Sequence, residues 1–191
     1  MRTKNFSLVV YKYGSLSKKK IGLLLNKLPP ARKERVEKLT ANPVYREFLI
    51  VEYFIVTKKL KLKNTGDFSY GETGKPFVEN AELNFSLSHC NDILIVAFSK
   101  SNIGVDIQFL LPFKNEVASL VCNDAEYNLI ENSKNPDLEF TKLWTKKESI
   151  VKFYGGTLYK DTKNILTDNP HLKVITKTKK GYAVSICLPL S

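Results

Sequence analysis

Hydrophobic positions along this chain come in two kinds of stretch that take turns. Short runs rich in β-branched and aromatic residues mark residues 6–13, LNFSLS (83–88), ILIVAF (93–98), IGVDIQF (103–109) and VSICL (184–188), and these read as strands. Between them lie longer stretches with helical spacing. PPARKERVEKL (29–39) opens on proline and carries its charges along one side. From Pro43 to about Lys61 the chain is apolar nearly all round, which marks a buried central helix. Helical patterns return at 113–120, 123–132 and 138–154, while NTGDFSYGETGKP (64–76) is dense in turn formers and reads as a loop. The three middle strands are separated by short polar links, so an antiparallel meander is the expected pairing. The order of strand, helices, strands, helices, strands predicts an α+β fold and excludes a doubly wound α/β sheet. That order nearly repeats about a midpoint near residue 100. We therefore expect two similar lobes, residues 1–100 and 101–191, each a small antiparallel sheet packed with helices and joined by the link SKSN (99–102).

Composition narrows the setting. Hydrophobic residues make up 43% of the 191 positions, enough for a real core in one domain or two small lobes. With 30 Lys plus Arg against 19 Asp plus Glu, the formal net charge of +11 favours an anionic partner: nucleic acid, an anionic membrane, a polyphosphate or an acidic protein. Cys90, Cys122 and Cys187 are far apart and odd in number, so they indicate neither a disulfide framework nor a zinc ribbon, and a reducing compartment is the default. The apolar run near the start is interrupted by Lys12 and too short for a signal peptide. FLIVEYFIV (48–56) is too short to span a bilayer and carries Glu52 inside it. A cytoplasmic protein outside the membrane is the expectation.

Four segments could carry chemistry. In FTKLWTKKESIVKFYG (140–155), read as a helix at about 100° per residue, Phe140, Leu143, Trp144, Ile150, Val151 and Tyr154 share an inward arc with Glu148 at its edge. Lys152 stands one turn beyond Glu148. Taken alone the two are a solvated i,i+4 pair worth roughly 0.2–0.5 kcal/mol. In IGVDIQF, strand parity puts Gly104, Asp106 and Gln108 on one face and the apolar residues on the other. Oxygen-bearing side chains two residues apart on one strand face can converge on a hard cation such as Mg²⁺, or simply face water. In NFSLSHC (84–90), Asn84, Ser86 and Ser88 alternate against Phe85 and Leu87, and His89 ends the strand, where it could donate to a phosphate or serve as a capping residue. GKP (74–76) is by itself a turn with a lysine. There is no P-loop and no GxGxxG, and His89 and His171 are too far apart to suggest a His-based metal site.

In order and spacing, GKP, FSLSH (85–89), IGVDIQ (103–108) and the 140–155 helix resemble the 4′-phosphopantetheinyl transferase superfamily, specifically its larger, Sfp-like monomeric branch. The longest of the family patterns, F-x-x-x-W-x-x-K-E-[AS]-x-x-K, is matched at Phe140, Trp144, Lys147, Glu148, Ser149 and Lys152, and the resemblance runs from about residue 29 to 160. It implies a pseudo-twofold fold with the active site in the cleft between the lobes. It implies transfer of the 4′-phosphopantetheine arm of coenzyme A to a serine of an acidic acyl or peptidyl carrier protein, with release of 3′,5′-ADP.

By the same resemblance, Asp106 and Glu148, with Gln108, are the Mg²⁺ ligands. Glu148, directly or through a water, accepts the serine proton, and Lys152 and Lys147 neutralise the pyrophosphate. Ser88 and His89 hold the 3′-phosphate, Lys75 lies near the nucleotide, and Arg46 with one or both of Arg32 and Arg35 contributes to the same phosphate. Gln108 departs from the pattern, standing where the family often has a second carboxylate. Cys90 likewise replaces the commoner serine after the histidine. Two other readings stay open: a related protein that binds coenzyme A or a carrier protein without turnover, and a small nucleic-acid-binding module, which the charge explains but for which no RNP-type or helix-turn-helix signal is present. The transferase reading carries no nucleic-acid and no membrane partner, and expects a monomer.

Overall fold

The computed structural model describes residues 6–38, 42–62, 66–156, 162–179 and 181–190. Leu39, Asn64 and Thr65, which fall in segments discussed above, and residues 157–160 at the end of the resemblance lie outside the described residues. In chain order the elements are β1 (Phe6–Lys12), α1 (Lys18–Asn26), α2 (Pro30–Lys38), α3 (Pro43–Lys59), β2 (Ser69–Tyr70), β3 (Pro76–Phe77), β4 (Asn84–Cys90), β5 (Ile93–Ser99), β6 (Gly104–Phe109), α4 (Asn115–Val121), α5 (Asp124–Glu131), α6 (Pro136–Tyr154), β7 (Leu172–Lys179) and β8 (Tyr182–Pro189). This is the expected α+β class. Two three-stranded sheets run in the orders β1-β5-β4 and β6-β8-β7, so in each the last strand lies between the first and the one before it. All these pairs are antiparallel.

The meander expectation fails at β6. β4 and β5 form a hairpin, but β6 pairs with β8, from Gly104 opposite Cys187 to Phe109 opposite Tyr182. The reason is that β5 already has β1 on one edge and β4 on the other, which leaves β6 no hydrogen-bonding edge in that sheet. The composition of β5 follows from its place. Leu94, Val96 and Phe98 enter the core with α3, and Ile95 and Ala97 enter a second core with Ile103, just before β6, and Val105 and Ile107 within it. Covered on both faces, the strand is apolar from Ile93 through Phe98 rather than alternating.

The two long helices begin alike. Asn42 caps α3, accepting from the N–H groups of Val44 and Tyr45, and Asn135 caps α6, accepting from Leu138; each is followed by proline at the first helical position, where a missing N–H costs nothing. α3 buries Phe48 through Tyr53 and Val56. α6 buries Phe140, Leu143, Ile150 and Val151 as expected. Tyr154, however, is 42% exposed, and Phe153 takes the buried place. A second buried face, Thr141, Thr145 and Ser149, lies against the second sheet, with the Thr145 and Ser185 hydroxyls 2.8 Å apart. Gly104 is what lets α6 come so close. A Cβ there would lie 1.9 Å from the Ser149 carbonyl oxygen and 2.5 Å from the Phe153 nitrogen.

Four elements were not foreseen: the two-residue strands β2 and β3, which pair within the segment read as a loop, and α1 and β7. α1 has a serine cap, Ser17 accepting from the Lys20 N–H, but is lysine-rich at its N-terminus, against the helix dipole, and has Gly22 mid-helix, so its local signals are mixed. Packing of Ile21, Leu24 and Leu25 on the first core holds it. β7 is an edge strand whose Lys173, Lys177 and Lys179 hide the apolar alternation and guard the open edge. Among the described residues no helix is long and apolar enough to cross a membrane.

Candidate active site

The first strand hairpin and the second sheet meet through side chains, not through a backbone ladder. Ser86 Oγ, Ser88 Oγ and Cys90 Sγ, alternating along β4, accept the N–H groups of Val105 (3.1 Å), Ile107 (3.2 Å) and Phe109 (3.1 Å) of β6. Small polar residues at every second position are what such a contact needs, since a larger side chain would hold the strands apart. The joint places the end of β4 beside Asp106, and the tight approach of α6 at Gly104 brings Glu148 and Lys152 to the same spot. Here the chain encloses a cavity of about 440 Å³ whose walls come from both sheets and from α3 and α6.

Asp106 is 5% exposed. Its Oδ1 accepts from Lys152 Nζ (2.6 Å) and from the Ser88 hydroxyl (2.8 Å), while its Oδ2 is buried with no hydrogen-bond partner. Glu148, half-buried, makes no hydrogen bond or ion pair among the described residues. Burial, with the Asp106 charge added, pushes its pKa above the usual carboxylate range, against a smaller opposing pull from Lys152. The solvated Glu148–Lys152 pair that the helix alone suggests does not form, because Lys152 reaches across to Asp106. Gln108 is half-buried and lines the same cavity.

A buried carboxylate oxygen without a partner is costly, and so is a second carboxylate that nothing neutralises. Both are answered by a small hard cation. Among the described residues there is no cluster of three or more His, Cys, Asp or Glu. Two carboxylates and a carboxamide suit Mg²⁺, which keeps part of its shell as water and substrate oxygen, better than a metal that needs a full protein cage.

The other predicted residues divide by what their polar atoms already do. His89 sits on the cavity wall with its ring against Tyr45 (centroids 5.0 Å apart) and Phe48 (5.9 Å). Partial burial, and then the charge of Lys152, push its pKa below the usual histidine value. Arg35 also lines the cavity, its guanidinium 4.5 Å from the Tyr70 ring centroid. Arg32 does not reach it: at 1% exposure it is bound by Glu52, by the Leu49 carbonyl (2.9 Å) and by the Tyr70 hydroxyl (2.8 Å). Arg46 is half-buried in α3 and is not among the lining residues.

Two lysines are committed to the frame. Lys75 Nζ donates to Asn102 Oδ1 and the Ile103 carbonyl (3.0 Å each) and to the Phe153 carbonyl (3.2 Å). With the Thr73 hydroxyl donating to the Gly155 carbonyl, this ties the turn between β2 and β3 to the end of α6. Lys147, 2% exposed, is turned away from the cavity and donates to Glu126 (2.7 Å) and to the carbonyls of Val121, Thr162 and Lys163. Conversely, Tyr45, Tyr70 and Glu52 line the cavity without having been singled out. Tyr45 lies one position from Arg46, where a one-residue shift would have found it; nothing local marks Tyr70 or Glu52.

The family model described as the 4′-phosphopantetheinyl transferase superfamily matches residues 102–188. The chain is 30% identical over 146 residues to the 4′-phosphopantetheinyl transferase gsp of Aneurinibacillus migulanus, covering 75% of this chain and 61% of that protein. It is 32% identical over 127 residues to the 4′-phosphopantetheinyl transferase AcpT of Escherichia coli (strain K12), covering 63% and 65%. With the 4′-phosphopantetheinyl transferase Sfp of Bacillus subtilis (strain 168) it shares 32% identity over 108 residues, covering 54% and 48%. The matched stretches thus span between about half and just under two thirds of these relatives. The matched C-terminal half contributes Asp106, Gln108, Glu148 and Lys152 to the cavity, and on this evidence the chain belongs to the 4′-phosphopantetheinyl transferase superfamily.

Proposed function

We propose that this chain transfers the 4′-phosphopantetheine group from coenzyme A to a serine hydroxyl of an acyl or peptidyl carrier protein, releasing 3′,5′-ADP. The observation that carries the proposal is the unpartnered, buried Asp106 Oδ2 beside the unpaired Glu148 carboxylate, in a cavity that also presents Lys152, His89 and Arg35. In the reaction the serine oxygen bonds to the phosphorus that carries the pantetheine arm, the bridging P–O bond of the pyrophosphate breaks, and the displaced phosphate leaves as part of 3′,5′-ADP. Asp106 and Glu148, with Gln108, would hold a Mg²⁺ ion, which when bound neutralises charge on the pyrophosphate. Glu148, its basicity raised by burial and by Asp106, accepts the serine proton directly or through a water; such help contributes typically about 10²–10⁴-fold. Lys152, fixed by Asp106 and Ser88, presents positive charge where the pyrophosphate must lie.

His89 and Arg35 are the proposed contacts for the 3′-phosphate. Arg32, Lys75 and Lys147 support these groups from behind, with their donors already engaged. Residues 1–100 and 101–191 act in this proposal as two lobes that each give one wall of the cleft, and one chain then suffices as a monomer. The net charge of +11 suits polyanionic coenzyme A and an acidic carrier protein. All three cysteines are free and buried, which supports a reducing, cytoplasmic setting. The test is intact-mass spectrometry of an apo carrier protein incubated with the chain, coenzyme A and Mg²⁺. A gain of one phosphopantetheine arm, lost with EDTA and in Asp106→Ala and Glu148→Ala, is the expected result. Coenzyme A binding without any gain on several unrelated carriers would favour a non-catalytic binder, and salt-sensitive oligonucleotide binding without coenzyme A binding would favour the nucleic-acid reading.

A further inference from the structure

We infer that Ser88 is a positioning residue for Asp106 and not a contact for the 3′-phosphate. A serine hydroxyl has one proton to donate and two lone pairs. Around Ser88 Oγ lie three partners: the Ile107 N–H (3.2 Å) and the Lys152 ammonium (2.8 Å), which can only donate, and Asp106 Oδ1 (2.8 Å), which as a carboxylate oxygen can only accept. The assignment is therefore forced. Both lone pairs are filled, the proton goes to Asp106, and nothing is left to offer a phosphate.

The consequence falls on Asp106. Ser88 and Lys152 together hold Oδ1, so the carboxylate cannot turn, and Oδ2 is the oxygen left unpartnered. Of the three side chains that accept from β6, only Ser88 has this second task. Ser86 makes the equivalent contact to Val105 one rung away, with no bond to Asp106. That makes Ser86 an internal control, since its loss removes a rung but leaves the carboxylate pinned. His89, the next residue along the chain, presents its ring to the cavity instead and is the one with a group to spare for phosphate.

This inference rests on the proposed function, and its test separates the two. Binding of Mn²⁺, as a spectroscopic stand-in for Mg²⁺, is followed by electron paramagnetic resonance in the presence of coenzyme A, for the unaltered protein and for Ser88→Ala, Ser86→Ala and His89→Ala. Calorimetry without metal gives the affinities for coenzyme A and for 3′-dephospho-coenzyme A. The expectation is that Ser88→Ala weakens Mn²⁺ binding by about 10–100-fold, the usual effect of removing a group that orients a metal ligand, and leaves the preference for coenzyme A over its dephospho form unchanged. Ser86→Ala leaves Mn²⁺ binding as it was, and His89→Ala reduces the preference. Where Ser88→Ala is too unstable to assay, Ser88→Cys, a weaker donor at the same place, shifts Mn²⁺ binding in the same direction. Ser88→Ala retaining Mn²⁺ but losing the 3′-phosphate preference overturns the inference, as does equal weakening by Ser88→Ala and Ser86→Ala, the mark of a merely structural role. An unaltered protein that binds neither nucleotide overturns the functional proposal itself.

Discussion

Gly104→Ala is the smallest change that should dismantle the site without touching any group in it. The added methyl would sit 1.9 Å from the Ser149 carbonyl oxygen, 2.5 Å from the Phe153 nitrogen and 3.0 Å from the Phe153 Cα, all backbone atoms of α6. No rotamer change relieves this, so the helix must retreat by roughly 1.5 Å to regain ordinary contact distance. Overpacking of a filled core costs about 1–3 kcal/mol, and a clash against helix backbone belongs at the top of that range. For a chain of this size, about 3 kcal/mol lowers Tm by roughly 6–12 °C. The same retreat stretches the 2.6 Å contact between Lys152 and Asp106 out of hydrogen-bond range and carries Glu148 with it. A displacement of about 1 Å in a reacting constellation can cost about 10²-fold in rate. The assay is thermal melting with the carrier-protein mass shift, timed well below Tm. Gly22→Ala is the control, because a Cβ at Gly22, within α1, meets nothing within 4 Å; it should leave the rate alone and stabilise by about 0.4–1 kcal/mol. If Gly104→Ala melted with the unaltered protein and kept its rate, the account of how α6 is seated would be wrong.

Three further outcomes follow from the same geometry. Gln108→Glu adds a charge to a donor set with two carboxylates and should lower the Mg²⁺ concentration for half-maximal rate, on the order of tenfold; an unchanged Mg²⁺ titration would remove Gln108 from the site. Lys147→Met leaves Glu126 and three carbonyls without their shared donor, and loss of one partner from such a buried pair costs about 3–5 kcal/mol. Coenzyme A affinity of the folded protein should still hold, whereas Lys152→Ala, which strips the buried Asp106 of its cation, should lose both coenzyme A affinity and activity at temperatures where it is still folded, so an equal loss of affinity in both variants would refute the separation of the two lysines. Finally, the pKa of His89 is depressed by burial and by Lys152, so the stability it contributes is complete above about pH 6.5 and is lost as pH falls through the lowered value. An anion beside the ring reverses that depression, so coenzyme A binding should take up protons just below pH 6.5. Calorimetry in buffers of different ionisation enthalpy reads this, and an identical proton uptake in His89→Ala would assign it elsewhere.

The α+β class was legible because strand-like and helical stretches alternate along the chain, and Asp106, Gln108, Glu148 and Lys152, which line one cavity, were singled out through the resemblance to the transferase family and not by their own segments, each of which also reads as a solvated surface. What escaped notice depends on contacts distant in sequence. α1 has mixed local signals, a serine cap against Gly22 and N-terminal lysines, and its helix is held where Ile21, Leu24 and Leu25 have a core to join. β7 conceals its period behind edge lysines. The pairing of β6 could not be read from β6 itself, since it was decided by β1, some 90 residues earlier, occupying the free edge of β5.

The two lysines of the 140–155 helix show how far elementary geometry could have gone. At about 100° per residue, Glu148 and Lys152 lie roughly 40° apart around the axis, while Lys147 and Lys152 lie roughly 140° apart. A helix packed on one cleft cannot aim both lysines into it, so a shared motif does not imply a shared task. The structure assigns each to the nearest available charge. Lys152 faces Asp106, and Lys147 is drawn inward on the opposite side, where the end of α4, the cap of α5 and the carbonyls of residues 162–163 leave acceptors that only a cation with several protons can satisfy. Lys75 carries the same lesson for a turn: its ammonium is used to fasten the GKP segment to α6. In this fold the cations with long reach hold the frame, and those left with a group facing the cavity, Lys152, His89 and Arg35, are the ones on which anion binding must rest.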